Sequence, residues 1–385
     1  MKILFIHNEY GKLSGEEHAL RELEYLLIAH GHGVIWYRKT SKIINVLEKL
    51  NAFILGVYNP RSARELDAVL DTNHPDIAMV QNLYPFISSS IFKVLKKRKV
   101  PVVMRCPNYR LFCPNGLCLD TKGRVCEKCF GNGKEFWCIR KNCEKSFGKS
   151  LGYAIRGWYS RVSGNVIKGV DRFVVQSQFQ KTKFVKQGIN ENRISILPGI
   201  APTITHSEYG IGDYCAFVGR VSDEKGIYEF IEAAQLNPNI SFKVAGALSP
   251  NFRMPTKLPE NLEFVGFKVD ADLDDFYQKS RLVVVPSKWY EGFPNVIHRA
   301  MVHRKPIITT DIGGLPEIIK NGVNGIVVKL GDIKDLANAI ANLYINEELC
   351  KQYGVNGYRV ASERYSSELI YCNLLEIYES IQYRH

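Results

Sequence analysis

No apolar run in this chain is long enough to span a bilayer, so no membrane-crossing helix is expected. The first residues, MKILFIHN, lack the long apolar stretch and cleavage site of a secretory leader and read as a short buried strand. The expected compartment is the cytoplasm. A recognised nucleic-acid reading motif and an aromatic-interleaved basic stretch are also missing, so no nucleic-acid partner is expected despite a net charge of +12. Acidic residues are scarce in the first half alone. Residues 1–200 carry 32 Lys+Arg against 16 Asp+Glu, a net of +16, whereas residues 201–385 carry 19 against 23, a net of −4. A basic first half suggests an anionic partner such as a lipid diphosphate or an acidic membrane surface, which would place the chain peripherally at the inner membrane face. A generally basic, solvated surface is the plainer alternative.

What is present fits a globular chain. The apolar fraction of 45% and charged fraction of 23% are ordinary, and 385 residues exceed what one hydrophobic core usually supports, so two domains are expected. Short Val/Ile/Phe-rich runs alternate with helical patterns. The first half offers strands at 3–7, 34–38, 76–81, 102–105, 173–177 and 194–197, with helices at 15–30, 89–98 and 148–167. The second half offers strands at 215–219, 242–245, 263–265, 283–286, 307–309 and 326–328, with helices at 228–236, 273–280, 295–303 and 333–344. Continuous apolar strands separated by helices indicate parallel sheets covered on both faces. The expected class is therefore α/β, as two doubly wound, Rossmann-like domains at 1–200 and 201–365. They join through the Gly/Pro/Ser/Thr-rich stretch 198–213, about which hinge motion is expected. A final helix, 366–383, could belong to either domain.

Residues 106–147 break the rhythm with little apolar periodicity, as an insertion on the first domain. Six of the ten cysteines (Cys113, Cys118, Cys126, Cys129, Cys138 and Cys143) cluster within 113–143, which in a cytosolic chain reads as metal binding before disulfides. The nearby run KKRK, 96–99, reads as a solvated helix end.

Two stretches carry the chemistry. In GRVSDEKG, 219–226, Arg220 and Lys225 sit five apart after a strand, with Gly219 and Gly226 bordering the turn. In PSKWYEGFPNVIHRAM, 286–301, a strand runs into a loop holding one acid, Glu291, before a helix opens near Asn295. A glycine-bordered turn with two cations and a helix N-terminus with free N–H groups are the parts that hold a diphosphate. Arg220 can fork onto two phosphate oxygens and Lys225 adds a point charge. Each such charge-assisted bond contributes roughly 1.5–3 kcal/mol. A surface Arg and Lys at a strand end, and a bland loop glutamate, are the plainer alternatives.

In this combination the second half resembles glycosyltransferase family 4, retaining enzymes of the GT-B fold, through FVGRVSDEKG (217–226), PSKWYEGFPN (286–295) and GGLPEIIKNGVNGIVV (313–328). The first half resembles one branch of that family through SGEE (14–17), PDIAMVQNLYP (75–85), NYRLFCPNG (108–116) and CEKC (126–129). The resemblance implies two domains facing a central cleft and a UDP- or GDP-sugar donor. It also implies a polysaccharide or lipid-linked saccharide acceptor, retention of configuration, and no catalytic metal. It assigns Arg220 and Lys225 to the donor diphosphate, Glu291 to the donor sugar and the backbone of Gly292 and Phe293 to the sugar hydroxyls. Asn295 marks the helix end facing the phosphates, and Gly15 allows close approach after the first strand. Cys113, Cys126, Cys129 and Cys143 match a branch pattern. Four thiolates with twelve, two and thirteen intervening residues could close a structural zinc site, with disulfides or free thiols as alternatives.

The departures matter. Eight positions after Glu291, where the family keeps a second glutamate for the ribose, stands Arg299, which donates where a carboxylate accepts. Pro107 replaces a branch histidine, and Met79 and Gln81 stand where others occur. Ser14 replaces one glycine of a pair, and Ser14 with Glu17 equally matches a plain helix capping box. His7 could face the site, although a core or loop histidine is the plainer reading. These gaps leave open a catalytically degenerate GT-B protein that binds sugar nucleotide or saccharide as a partner or scaffold.

Overall fold

The computed structural model describes residues 1–10, 15–41, 46–203 and 210–382. Ser14, residues 204–209 of the expected join and the end of the last expected helix lie outside the described residues. The chain divides into two compact units: Met1–Lys122 with Cys126–Pro198 and Ile370–His385, and Gly199–Leu369 with Gly123–Val125.

The first unit holds a six-stranded parallel sheet of β1 (Lys2–Glu9), β2 (Gly33–Thr40), β3 (Ile77–Val80), β4 (Val102–Arg105), β5 (Arg172–Val175) and β6 (Ile194–Ile196). Its order is β2-β1-β3-β4-β5-β6. Ile3, Leu4, Phe5 and Ile6 are all fully buried, as a strand covered on both faces requires. Helix Gly15–Ala29 buries Leu20, Leu23 and Leu27, spaced to share one face. Helix Pro60–Asn73 starts where Asn59 accepts from the amides of Arg61 and Ser62 and proline takes the first turn.

The second unit repeats the plan with β7 (Tyr214–Val218), β8 (Ser241–Ala245), β9 (Leu262–Gly266), β10 (Ser280–Val285), β11 (Ile307–Thr310) and β12 (Gly325–Val328). All are parallel, in the order β12-β11-β10-β7-β8-β9. Alternate residues feed two cores. Cys215, Phe217, Val284 and Ile308 pack on one face with Phe230 and Ile340, while Ala216, Val283, Val285 and Ile307 pack on the other with Ile297 and Met301. The order reverses between β7 and β10 in this sheet and between β1 and β3 in the first. In open α/β sheets ligands bind beside such a reversal, at the carboxyl ends of the strands.

Candidate functional site

The two motif loops lie on either side of the reversal in the second unit. After β7, the amide of Gly219 still bonds the Ala245 carbonyl at 3.0 Å and that of Val221 bonds Ala247 at 2.9 Å. The chain then makes one tight turn at Asp223–Lys225 and enters helix Ile227–Leu236 through Gly226. Gly226 has φ of +78°, and a Cβ there would fall 1.8 Å from the Pro286 carbonyl oxygen. Glycine is thus required for the two loops to touch.

The loop after β10 is fastened along its length. The Lys288 amide donates to the Glu224 carbonyl at 2.9 Å, and its ammonium pairs with Asp223 at 2.5 Å and Glu229 at 3.0 Å. Thr310, at the end of β11, donates to the Ser287 carbonyl at 2.6 Å. Gly314 donates its amide to the Glu291 carbonyl at 2.8 Å, and Gly313, with φ of +62°, leaves room for that contact.

These fastenings place Glu291, only 6% exposed, at the centre. Its Oε1 accepts from Lys225 Nζ at 2.5 Å, Trp289 Nε1 at 2.7 Å and Ser287 Oγ at 2.9 Å. Lys225 also lies 5.1 Å from the Trp289 ring centroid. A buried carboxylate meeting a cation and two neutral donors is well compensated for lost hydration. Arg220 is turned elsewhere: its Nη2 pairs with Glu224 Oε1 at 2.6 Å and the side chain is 52% exposed, so the pair is a weak restraint. Gly292 follows Glu291, and Phe293 packs its ring 3.9 Å from His298 and 4.7 Å from Tyr365. Burial pushes His298 down to about 3, leaving it neutral under Phe293. Asn295 opens helix Asn295–Val302 and is exposed.

Arg299 lies in the last turn of that helix, where a cation suits the dipole. Its Nε donates to Asp274 Oδ1 at 2.8 Å, on helix Asp270–Lys279, and His303 Nε2 meets the same oxygen at 2.9 Å. Burial raises the Asp274 carboxyl, but the bonds from Arg299 and His303 outweigh it and hold the group below its ordinary range. Replacing Arg299 by glutamate is therefore expected to destabilise the unit by on the order of 1 kcal/mol, by setting a second carboxylate against Asp274. Denaturant unfolding of this variant beside Arg299→Met tests it. Unchanged stability with altered nucleotide affinity would instead place Arg299 on a ligand.

Gly15 and the cysteines belong to the first unit. Gly15 is the exposed first residue of its helix, with open space where a Cβ would stand. Burial raises the Cys129 thiol, and the rest of the expected zinc set, Cys113, Cys126 and Cys143, all lie close enough to it for their charges to raise it further. Among the described residues no group of three or more His, Cys, Asp and Glu side chains converges to hold a metal. Direct thiol–thiol bonds join two pairs. A bond from Cys118 lowers Cys113 to about 7, and a bond from Cys138 lowers Cys143. Packing accounts for order in the loop, through Tyr109, Phe112 and Phe130 against Phe184 and through Cys129 and Cys138 against Ala154.

Sequence reasoning missed the donors Ser287 and Trp289, although both stand inside the motif that drew attention to Glu291. It also missed Asp274, which carries no motif of its own.

Comparison with known proteins agrees with this geometry. Residues 208–360 match the family described as Glycosyl transferases group 1. An uncharacterised 42.6 kDa protein in the cps region of Klebsiella pneumoniae is 26% identical over 92% of this chain and 87% of its own. The capsular polysaccharide biosynthesis glycosyltransferase CapM of Staphylococcus aureus is 30% identical over 43% of this chain, which spans 45% of CapM. The crystal structure of Anabaena Alr3699/HepE in complex with UDP superposes with a TM-score of 0.68 at 18% identity, covering 99% of this chain and 100% of that one. With two parallel six-stranded sheets matching such structures over their full length, the chain has the GT-B fold, and its second unit carries the match to the group 1 glycosyl transferases (glycosyltransferase family 4).

Proposed function

We propose that the chain moves a sugar, with retention of configuration, from a nucleotide-sugar held on the second unit to a saccharide or lipid-linked saccharide acceptor in polysaccharide biosynthesis. The observation that carries this reading is the pair of half-buried Lys225 and buried Glu291 beside the strand-order reversal. The named relatives support the class: one is a capsular polysaccharide glycosyltransferase and another binds UDP.

In this reading Lys225 shares its ammonium between Glu291 and the donor diphosphate, and Arg220 leaves Glu224 to fork onto the phosphate oxygens. Glu291 holds hydroxyls of the donor sugar. As the bond from the anomeric carbon to the diphosphate breaks, the electron pair departs with the nucleoside diphosphate. An acceptor hydroxyl oxygen forms the new bond and gives its proton to an oxygen of the departing diphosphate. The two cations oppose the charge that builds on the leaving group, which is where preorganised electrostatics lower a barrier.

One observation favours a second reading, in which the protein binds sugar nucleotide or saccharide without turnover. Arg299 replaces a ribose-binding acid and is engaged by Asp274. Thermal unfolding with UDP and GDP comes first, since a ligand at about 100 times its dissociation constant stabilises by roughly 2.7 kcal/mol. Nucleoside diphosphate release is then followed with candidate sugar nucleotides and acceptors. No stabilisation by either nucleotide would remove the donor assignment. Binding with no release above the hydrolysis background would select the second reading.

A further inference from the structure

The first unit has its own strand-order reversal, and three cations stand beside it, Arg105 and Arg156 buried and Arg110 half-buried. Arg105 closes β4, is 3% exposed, and donates from Nη1 to Gln81 Oε1 at 3.0 Å. Arg110 donates from Nη1 to Asn82 Oδ1 at 2.8 Å and to the Tyr10 hydroxyl at 3.1 Å. Arg156, 7% exposed, donates to the Pro114 carbonyl at 2.8 Å and lies 4.0 Å from the Tyr84 ring and 4.3 Å from that of Tyr153. Among the described residues none of the three makes an ion pair with a carboxylate within 4.0 Å. Glu16 is near, but its oxygens take the Tyr10 hydroxyl at 2.6 Å and Asn108 Nδ2 at 2.9 Å. The buried Nε atoms of both Arg105 and Arg110 have no partner.

A buried guanidinium facing only neutral acceptors is costly, and one with an unused donor more so. Arg105 and Arg110 both line a small recess open to solvent, with Gln81, Asn82, Tyr84 and Asn108. Its walls come from the segment after β3 and from the end of β4 and the residues that follow it, and Tyr10, after β1, bonds Arg110. The unused donors, the lack of a direct ion pair and the recess coincide.

We propose that this recess binds an oxyanion, a carboxylate or a phosphate carried by the saccharide acceptor. Arg105 and Arg110 are the contacting forks, and Arg156 backs the wall through Tyr84. The inference rests on the glycosyltransferase reading and adds the acceptor's charge to it.

The test uses the full chain with its second unit saturated by whichever of UDP or GDP binds, so that phosphate probes cannot be counted there. Calorimetric titration then compares glucuronate, glucose 1-phosphate and neutral glucose. Saturable heat is expected for an anionic probe and none for glucose. The stronger of glucuronate and glucose 1-phosphate tells a carboxylated acceptor from a phosphorylated one. Arg110→Gln and Arg105→Gln, compared where they melt as the wild type does, should each weaken that binding about tenfold or more. No saturable heat with either anion on the wild type, or equal affinity in variants of wild-type melting, overturns the proposal. Nucleotide binding is measured first on the same protein, so failure of the donor assignment is read separately.

Discussion

Alanine at Lys225 is expected to cut sugar transfer roughly thirtyfold, corresponding to about 2 kcal/mol of lost transition-state stabilisation. Two effects combine. The diphosphate loses a cation seated on the unit's central acid, and Glu291, 6% exposed, loses its charged partner while keeping the neutral donors Ser287 and Trp289. The loss should therefore appear in both nucleoside diphosphate affinity and kcat/KM. Arg220→Ala should show a similar transfer defect with less effect on stability, because its pair with Glu224 is half exposed. Steady-state kinetics with calorimetry of the nucleotide check both. Wild-type kinetics in the Lys225 variant would remove that residue from the donor site.

The second large effect is at a residue with no side chain. Gly226→Ala asks an L-residue to hold φ of +78°, which costs about 1–2 kcal/mol, and sets a methyl 1.8 Å from the Pro286 carbonyl oxygen. The loops after β7 and β10 must then separate, taking Lys225 away from Glu291. A loss of roughly 3–5 kcal/mol is expected. Differential scanning calorimetry reads this as a drop on the order of 10 °C in the melting of the second unit. A melting temperature within about 2 °C of the wild type would show that the loop can move freely and that the close approach is dispensable.

The contrast between these positions reflects what the sequence could reveal. The strands were legible because buried parallel strands advertise themselves: 283–285, 307–308 and 3–6 are unbroken apolar runs and are buried. Helices that bury little apolar surface gave no such signal. Helix Glu347–Arg364 packs through Tyr353, Gly354, Gly357 and Ala361, and a Cβ on Gly354 would stand 2.0 Å from the Arg304 carbonyl, so close contact replaces an apolar stripe. Helix Gln178–Lys186 buries only Gln180 and Phe184. The local motifs marked the loops holding Lys225 and Glu291, since glycines, cations and an acid stand there in short order. Partners from distant segments were not legible. Asp274 meets Arg299 from a neighbouring helix, and Arg156 joins Arg105 and Arg110 from helix Phe147–Ser163.

The first unit is completed by the last part of the chain. In helix Ser367–Gln382, Ile370, Leu374 and Tyr378 are fully buried. The Tyr378 hydroxyl reaches Met79 Sδ at 3.6 Å and Tyr371 bonds His32 at 2.8 Å. Domains usually fold in the order in which they leave the ribosome, the amino-terminal one first. Here that order is inverted for completion: residues 199–369 emerge whole while the first unit still waits for its covering helix. The surface around Met79 is thus made some three hundred residues before the tyrosine that seals it.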